Sequence, residues 1–356
     1  MRDAKKMNDS SNKSYRIAVV KWSEQDEMAV VIEDELKQLN HSPFLFHIDS
    51  AVPQDIDILF TFAPYGSLQK IILQLEKMPA KTRPVWVHWN TEGLPDLRLP
   101  WAWVRFIGKI RTRLDRSLNA KNSLLQRLIP NSALNRLNRI GLRYRYVGDY
   151  YYAYRRGLLN ILADSSEIYA DIHTKHGIPV VVAPWGATSR WYADLNMERD
   201  IDVLWMGKRG SKRRSDLIDY VDDALSARDY NIHIADNETN PFIFGDERTE
   251  YLNRAKIALN ITRTWFDDNF SRFAFAVPNR SLVVSEPLRE HCTAYKAGVH
   301  YVSASKEDLV EQIEYYLQHD EERSRIVENA FELSTKTLTF NKSIKAIIDA
   351  GEKHLS

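Results

Sequence analysis

Short runs of apolar residues recur along this chain with helix-patterned stretches between them, and that rhythm restricts the fold more than any other feature. The first runs are residues 15–20 (YRIAVV), 43–48 (PFLFHI), 56–62 (IDILFTF) and 84–89 (PVWVHW). After an interruption come 158–164 (LLNILAD) and 178–184 (IPVVVAP). Helical patterns lie between them, for example Met28, Ile32, Leu36 and Leu39 on one face, and a stretch at 67–77. Strands that are apolar throughout are buried on both faces, so they predict a parallel sheet covered by helices. The rhythm starts again with 201–207 (IDVLWMG), 231–235 (NIHIA), 256–261 (KIALNI), 281–286 (SLVVSE) and 299–302 (VHYV). A helix is predicted over 305–319, with Ser305 and Asp308 as a capping box. The class is therefore α/β, with two Rossmann-like halves.

A chain of 356 residues exceeds what one hydrophobic core organises well, which supports two domains. Residues 1–14 read as a disordered lead-in without the apolar core of a signal peptide. Residues 15–185 form an N-terminal Rossmann-like acceptor domain, with a helical basic insertion at 101–157 that breaks near Pro130 and Gly141. Residues 200–335 form a C-terminal donor-nucleotide domain, and 336–356 a C-terminal helix. Cys292 is the sole cysteine, so no intramolecular disulfide exists and a cytoplasmic location is expected. His173 and His176 lack a partner set with zinc spacing and are read as ordinary surface or helix residues. The two D-x-D patterns, Asp55/Asp57 and Asp200/Asp202, stand at the amino ends of strands, the wrong edge for a ligand, so no metal is expected.

Open α/β sheets bind ligands beyond the carboxyl ends of their strands. At that edge, residues 207–214 (GKRGSKRR) follow a strand and precede a helix. Gly207 allows close backbone approach, and Lys208, Arg209, Lys212, Arg213 and Arg214 bring charge suited to a diphosphate at a helix N-terminus. A solvated basic turn would have the same composition. Arg272, opening a helix beside this edge, can pair with phosphate or form a surface salt bridge. Ser285 and Glu286 end a strand there, where a carboxylate can accept bonds from sugar hydroxyls. In the first half the matching edge is residues 88–95 (HWNTEGLP). There Trp89 can stack on a sugar ring, Glu92 or His88 can serve as base, and Asn90 and Thr91 complete the polar cluster. A His88 buried and satisfied within the strand is the competing reading.

With these residues placed, the chain resembles GT-B-fold glycosyltransferases, specifically group-1-like proteins related to the spore maturation protein CgeB. The resemblance covers residues 160–330. It rests on Asp164–Ser165 before a helix, GIPVVVAPWGA, DVLWMG, YLNRAKIALNI at 251–261, Asn269 through Arg272, SLVVSE, and LVEQIEYYLQHDEER at 309–323. It implies two facing Rossmann-like domains, a donor held mainly by the C-terminal one, and transfer across the cleft without cofactor or metal. It also implies diphosphate contacts from the 207–214 loop, with Asn269 and Arg272, and a final helix that crosses back. Two departures stand out. Phe275 occupies the position of the family's usual glutamate, and Arg280 that of a glycine. Residues 21–25 (KWSEQ) replace a glycine pair after the first strand. A catalytically inactive GT-B-like module that binds a nucleotide or other anion is the alternative.

The overall charge of +1 conceals an asymmetry. Residues 101–160 hold thirteen Lys and Arg against Asp115 and Asp149, a net +11, so the rest of the chain sums to −10. With Trp101, Trp103, Phe106, Ile107, Leu114 and Leu118 interleaved, this segment predicts contact with an anionic membrane surface and a glycan or lipid-linked acceptor. Helices packed on acidic neighbours would use the same charge. No nucleic-acid module is recognisable.

Overall fold

The structure is a computed structural model describing residues 13–63, 68–93, 95–119, 142–264, 270–289 and 294–355. It divides into two compact units, one of residues 1–90, 105–162 and 344–356, the other of 91–104 and 163–343.

The first sheet has six strands: β1 (Arg16–Lys21), β2 (Ser42–His47), β3 (Ile58–Phe62), β4 (Val85–Asn90), β5 (Ile161–Asp164) and β6 (Val180–Val182), in the order β2-β1-β3-β4-β5-β6. Strands β1 to β4 pair in parallel, with Val19 opposite Leu45 and Phe60, and Phe60 opposite Val87. Every residue of β3 and β4 is buried, which explains why these runs carry no alternation. Helix α1 (Glu27–Gln38) starts at Asp26, whose carboxylate accepts from Ala29 N at 3.2 Å and Trp22 N at 2.9 Å. Helix α2 (Gln69–Leu75) follows β3.

The basic segment forms α3 (Trp101–Asn119) and α4 (Leu142–Arg155) among the described residues; Pro130 and Gly141 lie outside them. The two helices meet at Gly108 and Gly148. A Cβ on Gly148 would lie 2.1 Å from Gly108 O, so any side chain there would force the backbones apart. Beside this crossing α3 buries polar groups: Arg111, Thr112 and Asp115 all face inward. Asp115 accepts from Arg145 Nε and Nη2 at 2.6 and 3.1 Å and pairs with Arg111, while Arg116 and Arg156 pair with Glu76. Part of the +11 is thus consumed inside the fold.

The second sheet holds β7 (Ile201–Met206), β8 (Ile232–Ala235), β9 (Ala255–Asn260), β10 (Leu282–Ser285) and β11 (Val302–Ser303), in the order β11-β10-β9-β7-β8. All its pairings are parallel. Alternate residues face opposite layers. Val203, Trp205, Ile257, Leu259 and Val284 join one core with Leu217 and Val221 of α6 (Lys212–Ser226) and Ile313 of α9 (Leu309–Gln318). Leu204, Ala258 and Val283 join the other with Leu252 of α7 (Gly245–Arg254) and Phe273 of α8 (Ser271–Ala276). Between these helices and the strands, neither face is left to water.

Some local expectations shift. The helix predicted from 305 begins at Leu309; Ser305 and Asp308 do form the capping-box bond, Ser305 Oγ accepting from Asp308 N at 3.2 Å and donating to the Asp308 carboxylate at 2.7 Å, but in the turn that precedes the helix. His173, read as an ordinary surface or helix residue, is a helix residue of α5 (Glu167–Lys175), fully buried and edge-on to Trp101 at 5.6 Å. Burial pushes its imidazole down to about 3. After α10 (Asp320–Glu332), the last helix, α11 (Phe340–Glu352), begins in the second unit, with Phe340 edge-on to Trp191 at 5.3 Å, and finishes in the first. There Gly351 lies so close to β4 that a Cβ would come within 3.2 Å of Val87 Cγ1.

Candidate active site

In both sheets the strand order reverses beside the first strand of the unit, between β1 and β3 and between β7 and β9. Loops leaving the carboxyl ends of two such strands diverge to opposite faces and open a crevice. At the β7/β9 reversal the crevice is a pocket of about 240 Å³. Gly207 and Lys208 enter it after β7, Arg263 after β9, Arg214 from the first turn of α6, Arg248 from α7, and Ser271, Arg272 and Phe275 from α8. Phe242 and Phe244 form an aromatic side, Phe244 largely exposed. Five cationic side chains therefore line the pocket, and no carboxylate does among the described residues.

The backbone makes room for these groups. Gly207 has φ +112°, and a Cβ there would meet Arg272 Nη2 at 3.3 Å, so any other residue would be strained and would push the guanidinium aside. Arg272 is held rigidly: Nε donates to Met206 O and Nη1 to Asn260 Oδ1, each at 3.0 Å, and its guanidinium lies 4.1 Å from the centre of the Trp205 ring. Arg214, only 4% exposed, donates from Nη1 to Lys208 O at 3.1 Å, tying the loop to the helix. Ser211 caps α6 by accepting from Arg214 N at 3.3 Å. Arg248, 6% exposed, lies 4.0 Å over the face of Phe275, whose ring packs edge-on against Trp191 at 4.6 Å. Where the related proteins were expected to carry a glutamate, this chain builds a cation on an aromatic platform.

Of the predicted donor residues, Gly207, Lys208, Arg214 and Arg272 come together in this pocket. The others serve elsewhere. Arg209 turns to Asp236 and Asp219, with which it forms ion pairs. Arg213 pairs with Glu286 and donates to Thr262 O at 3.1 Å. Glu286 also accepts from Thr262 N and Oγ1 at 3.0 and 3.2 Å, so its carboxylate, read from sequence as a sugar contact, ties the β9 and β10 loops together. Ser285 is fully buried, donating to Glu286 O at 2.7 Å and accepting from Asn260 Nδ2 at 2.9 Å. Asn269 lies outside the described residues. Sequence reasoning missed Arg263, which the strand-end rule selects as well as it selects Gly207. It also missed Arg248, which nothing local distinguishes from the other charges of GDERTEYLNR.

The predicted catalytic cluster behaves differently. His88 is 1% exposed, and burial pushes its imidazole down to about 3, so it is neutral and sealed from any acceptor. Tyr150 Oη donates to Asn90 Oδ1 at 2.8 Å, so the Tyr150 oxygen accepts from His88 Nε2 at 3.1 Å. His88 Nδ1 then accepts from Thr61 Oγ1 at 2.8 Å, which accepts from Trp86 Nε1 at 2.8 Å. Neither His88 as base nor Trp89, fully buried in β4, as a stacking platform survives, because β4 is an interior strand covered on both faces. Asn90 is buried at the end of that chain of bonds. Thr91 and Glu92 are half-buried in the stretch that follows. The D-x-D carboxylates at 200 and 202 pair with Arg254 and Lys256, and Asp57 accepts from Arg16 N at 2.8 Å.

The fold is that of the GT-B glycosyltransferases, two parallel-sheet α/β domains. HepE from Anabaena, in complex with UDP and glucose, matches with a TM-score of 0.58 and 9% identity over 95% of this chain and 100% of that one. Sucrose-phosphate synthase from Thermosynechococcus elongatus matches at 0.56 and 8%, over 96% and 99%. AviGT4, a glycosyltransferase involved in avilamycin A biosynthesis, matches at 0.54 and 11%, over 96% and 98%. A family model described as glycosyl transferase-like matches residues 212–349, a span that takes in Arg214, Arg248, Arg263 and Arg272. No curated protein sequence matches significantly.

Proposed function

We propose that this chain is a glycosyltransferase that moves a sugar from a nucleoside diphosphate sugar to an acceptor hydroxyl. The observation that carries this reading is the pocket at the β7/β9 reversal, where Lys208, Arg214, Arg248, Arg263 and Arg272 surround a glycine that opens the backbone to a ligand. In the reaction the bond from the anomeric carbon to the diphosphate breaks, and the diphosphate leaves with the electron pair. The acceptor oxygen bonds to the anomeric carbon and its proton passes to a base, for which Glu92 is proposed. Charge grows on the leaving diphosphate, so cations already fixed around it lower the barrier without reorganising, and the transfer is proposed to need no metal. Phe244 offers an aromatic face for the base, and HepE, solved with UDP, makes UDP the first nucleotide to try. The order of motifs over residues 160–330 supports kinship with the CgeB-related proteins. A glycan or lipid-linked acceptor, used at the cytoplasmic face of a membrane, completes the proposal.

The test is calorimetric titration with UDP, GDP, ADP and dTDP, and with the monophosphate CMP, followed by transfer and donor-hydrolysis assays with the sugar donor of whichever nucleotide binds. Binding of one diphosphate, weakened in Arg272→Ala, together with turnover lost in Glu92→Ala but donor binding kept, is the expected pattern. No binding by any of them overturns the proposal. Phe275 favours a second reading, a module that binds the diphosphate without turnover; binding with neither transfer nor hydrolysis would select it.

A further inference from the structure

The pocket at the β7/β9 reversal carries positive charge at two levels. At the first, Gly207, Lys208 and Arg272 meet at the carboxyl end of β7, beside the N-terminus of α6. Phe275 follows Arg272 by three positions and so lies one turn further along the same face of α8. Arg248 covers it, with Cζ 4.0 Å from the ring centre, so the second level is a guanidinium resting on an aromatic ring. Stacking engages the face of a guanidinium and not the N–H groups at its edge. Arg248 arrives from α7, where its backbone N–H donates to Phe244 O at 3.2 Å, and both residues line the pocket. The carboxylate that stands at the end of β8, Asp236, is committed elsewhere. It pairs with Arg209 and accepts from Glu238 N and Thr239 N at 2.8 and 2.6 Å, and the pocket lining at that strand end is Ala235.

We propose that the ligand of this pocket is a nucleoside diphosphate compound bearing a second anionic group, and that Arg248 selects for it. The proposal rests on the reading of the pocket as a nucleoside diphosphate site and adds which members of that class it prefers. A diphosphate suits the first level, where a helix N-terminus and two cations meet. The second level then faces what the diphosphate carries, a ribose on one side and a sugar on the other. A guanidinium only donates, so its best complement is an acceptor with charge. In α/β nucleotide sites a carboxylate meets a free ribose diol, and an arginine meets a phosphorylated ribose. Here the carboxylate at the end of β8 is taken by Arg209, and an arginine lines the pocket. The second anion is a phosphate on the ribose or a carboxylate on the transferred sugar; both offer Arg248 the same charged oxygens.

The experiment is calorimetric titration of the full chain with matched pairs of compounds at one ionic strength. One arm sets UDP-glucuronate against UDP-glucose and GDP-mannuronate against GDP-mannose. The other sets 3′-phosphorylated UDP and GDP against UDP and GDP. In one arm the more charged member is expected to bind about 10- to 100-fold more tightly, and that arm tells whether the anion sits on the sugar or on the ribose. Arg248→Met, which keeps a flexible side chain over Phe275, should abolish the preference and leave the affinity of the less charged member unchanged. Arg248→Lys, which keeps the charge without the planar fork, should reduce the preference and serves if the Met variant does not fold. Equal binding within every pair overturns the inference and leaves the reading of the pocket standing. So does a preference that survives in Arg248→Met, which would be general attraction to the other cations. No binding by any compound overturns both.

Discussion

At the carboxyl end of β1 the chain enters α1 through Asp26, and that carboxylate takes the two backbone N–H groups of Trp22 and Ala29. At the corresponding end of β7 it enters α6 through Ser211, a neutral cap, with Arg214 buried one turn in. The two sheets share one strand order, and both present a helix N-terminus, the end that attracts negative charge, at the same topological place. In the first unit the protein supplies the anion from its own sequence. In the second it surrounds the place with cations and leaves the anion to come from outside. Asp149 repeats the first solution, fully buried and accepting from Leu68 N at 3.0 Å, Gln69 Nε2 at 2.7 Å and Thr112 Oγ1 at 2.8 Å. Topology therefore provides the same place twice, and in the second unit side-chain charge suits it to an anion from outside.

The sharpest way to break this contrast is to remove the best-held cation. Arg272→Ala is expected to weaken nucleoside diphosphate binding about 100-fold, the loss of charge-assisted bonds worth about 2–3 kcal/mol, measured by calorimetry. Asp26→Ala should do the opposite. Diphosphate affinity stays as it was, while stability in urea falls by about 1–2 kcal/mol through loss of the cap. If Asp26→Ala instead creates a second diphosphate site, the crevices differ by less than their charge.

Acidification separates the two kinds of buried group. His88 and His173 stay neutral in the native state down to about pH 3, whereas in the unfolded chain they take up protons below about 6.5. Unfolded protein then binds more protons, so these residues destabilise the fold as pH falls through that window. Burial raises the Asp149 carboxyl to about 6, so its native form takes up a proton before the unfolded one does. That contribution favours folding as pH falls from about 6 toward the ordinary carboxylate range, and it partly offsets the histidines. Comparing urea unfolding at pH 7.5 and 4.5, His173→Leu should lose less stability than wild type by about 2–3 kcal/mol. The smallest expected effect on binding is at Arg209. With its guanidinium paired to Asp236 and Asp219, Arg209→Ala should change diphosphate affinity less than about threefold while costing about 1–3 kcal/mol of stability, because Asp236 is left buried without its partner.

These residues also show what the sequence discloses. Strand positions were readable because a strand covered on both faces must be apolar along its length, and a run such as IDVLWM has few other uses. The edge carrying the pocket was readable too, since strand order follows from short connections. Direction within the loop was not. Arg213 and Arg214 are neighbours in a basic run, yet one turns to Glu286 and the other lines the pocket, and the turn of the helix that parts them is fixed by contacts 73 residues away. His88 left two readings open for the same reason in reverse, and the structure takes the buried, satisfied one. A polar residue near a strand end reads as functional until the depth of its layer is known, and here it is a link in a buried chain of bonds. Arg248 gave no signal, because its partner Phe275 is distant in sequence and only the fold brings the ring beneath it.

The path of the last helix bears on how the protein comes into being. Residues 163–343 hold the second sheet and all its covering helices, whereas the first unit draws on residues 344–356 to complete its packing, where Gly351 settles against Val87 and Ile58. On a ribosome the half made first must therefore wait, its β4 flank uncovered, for about 10–40 s while the second half is synthesised. The half made later can close as soon as it emerges. The apolar flank of β4 is the surface a nascent-chain chaperone would have to shield in the interval.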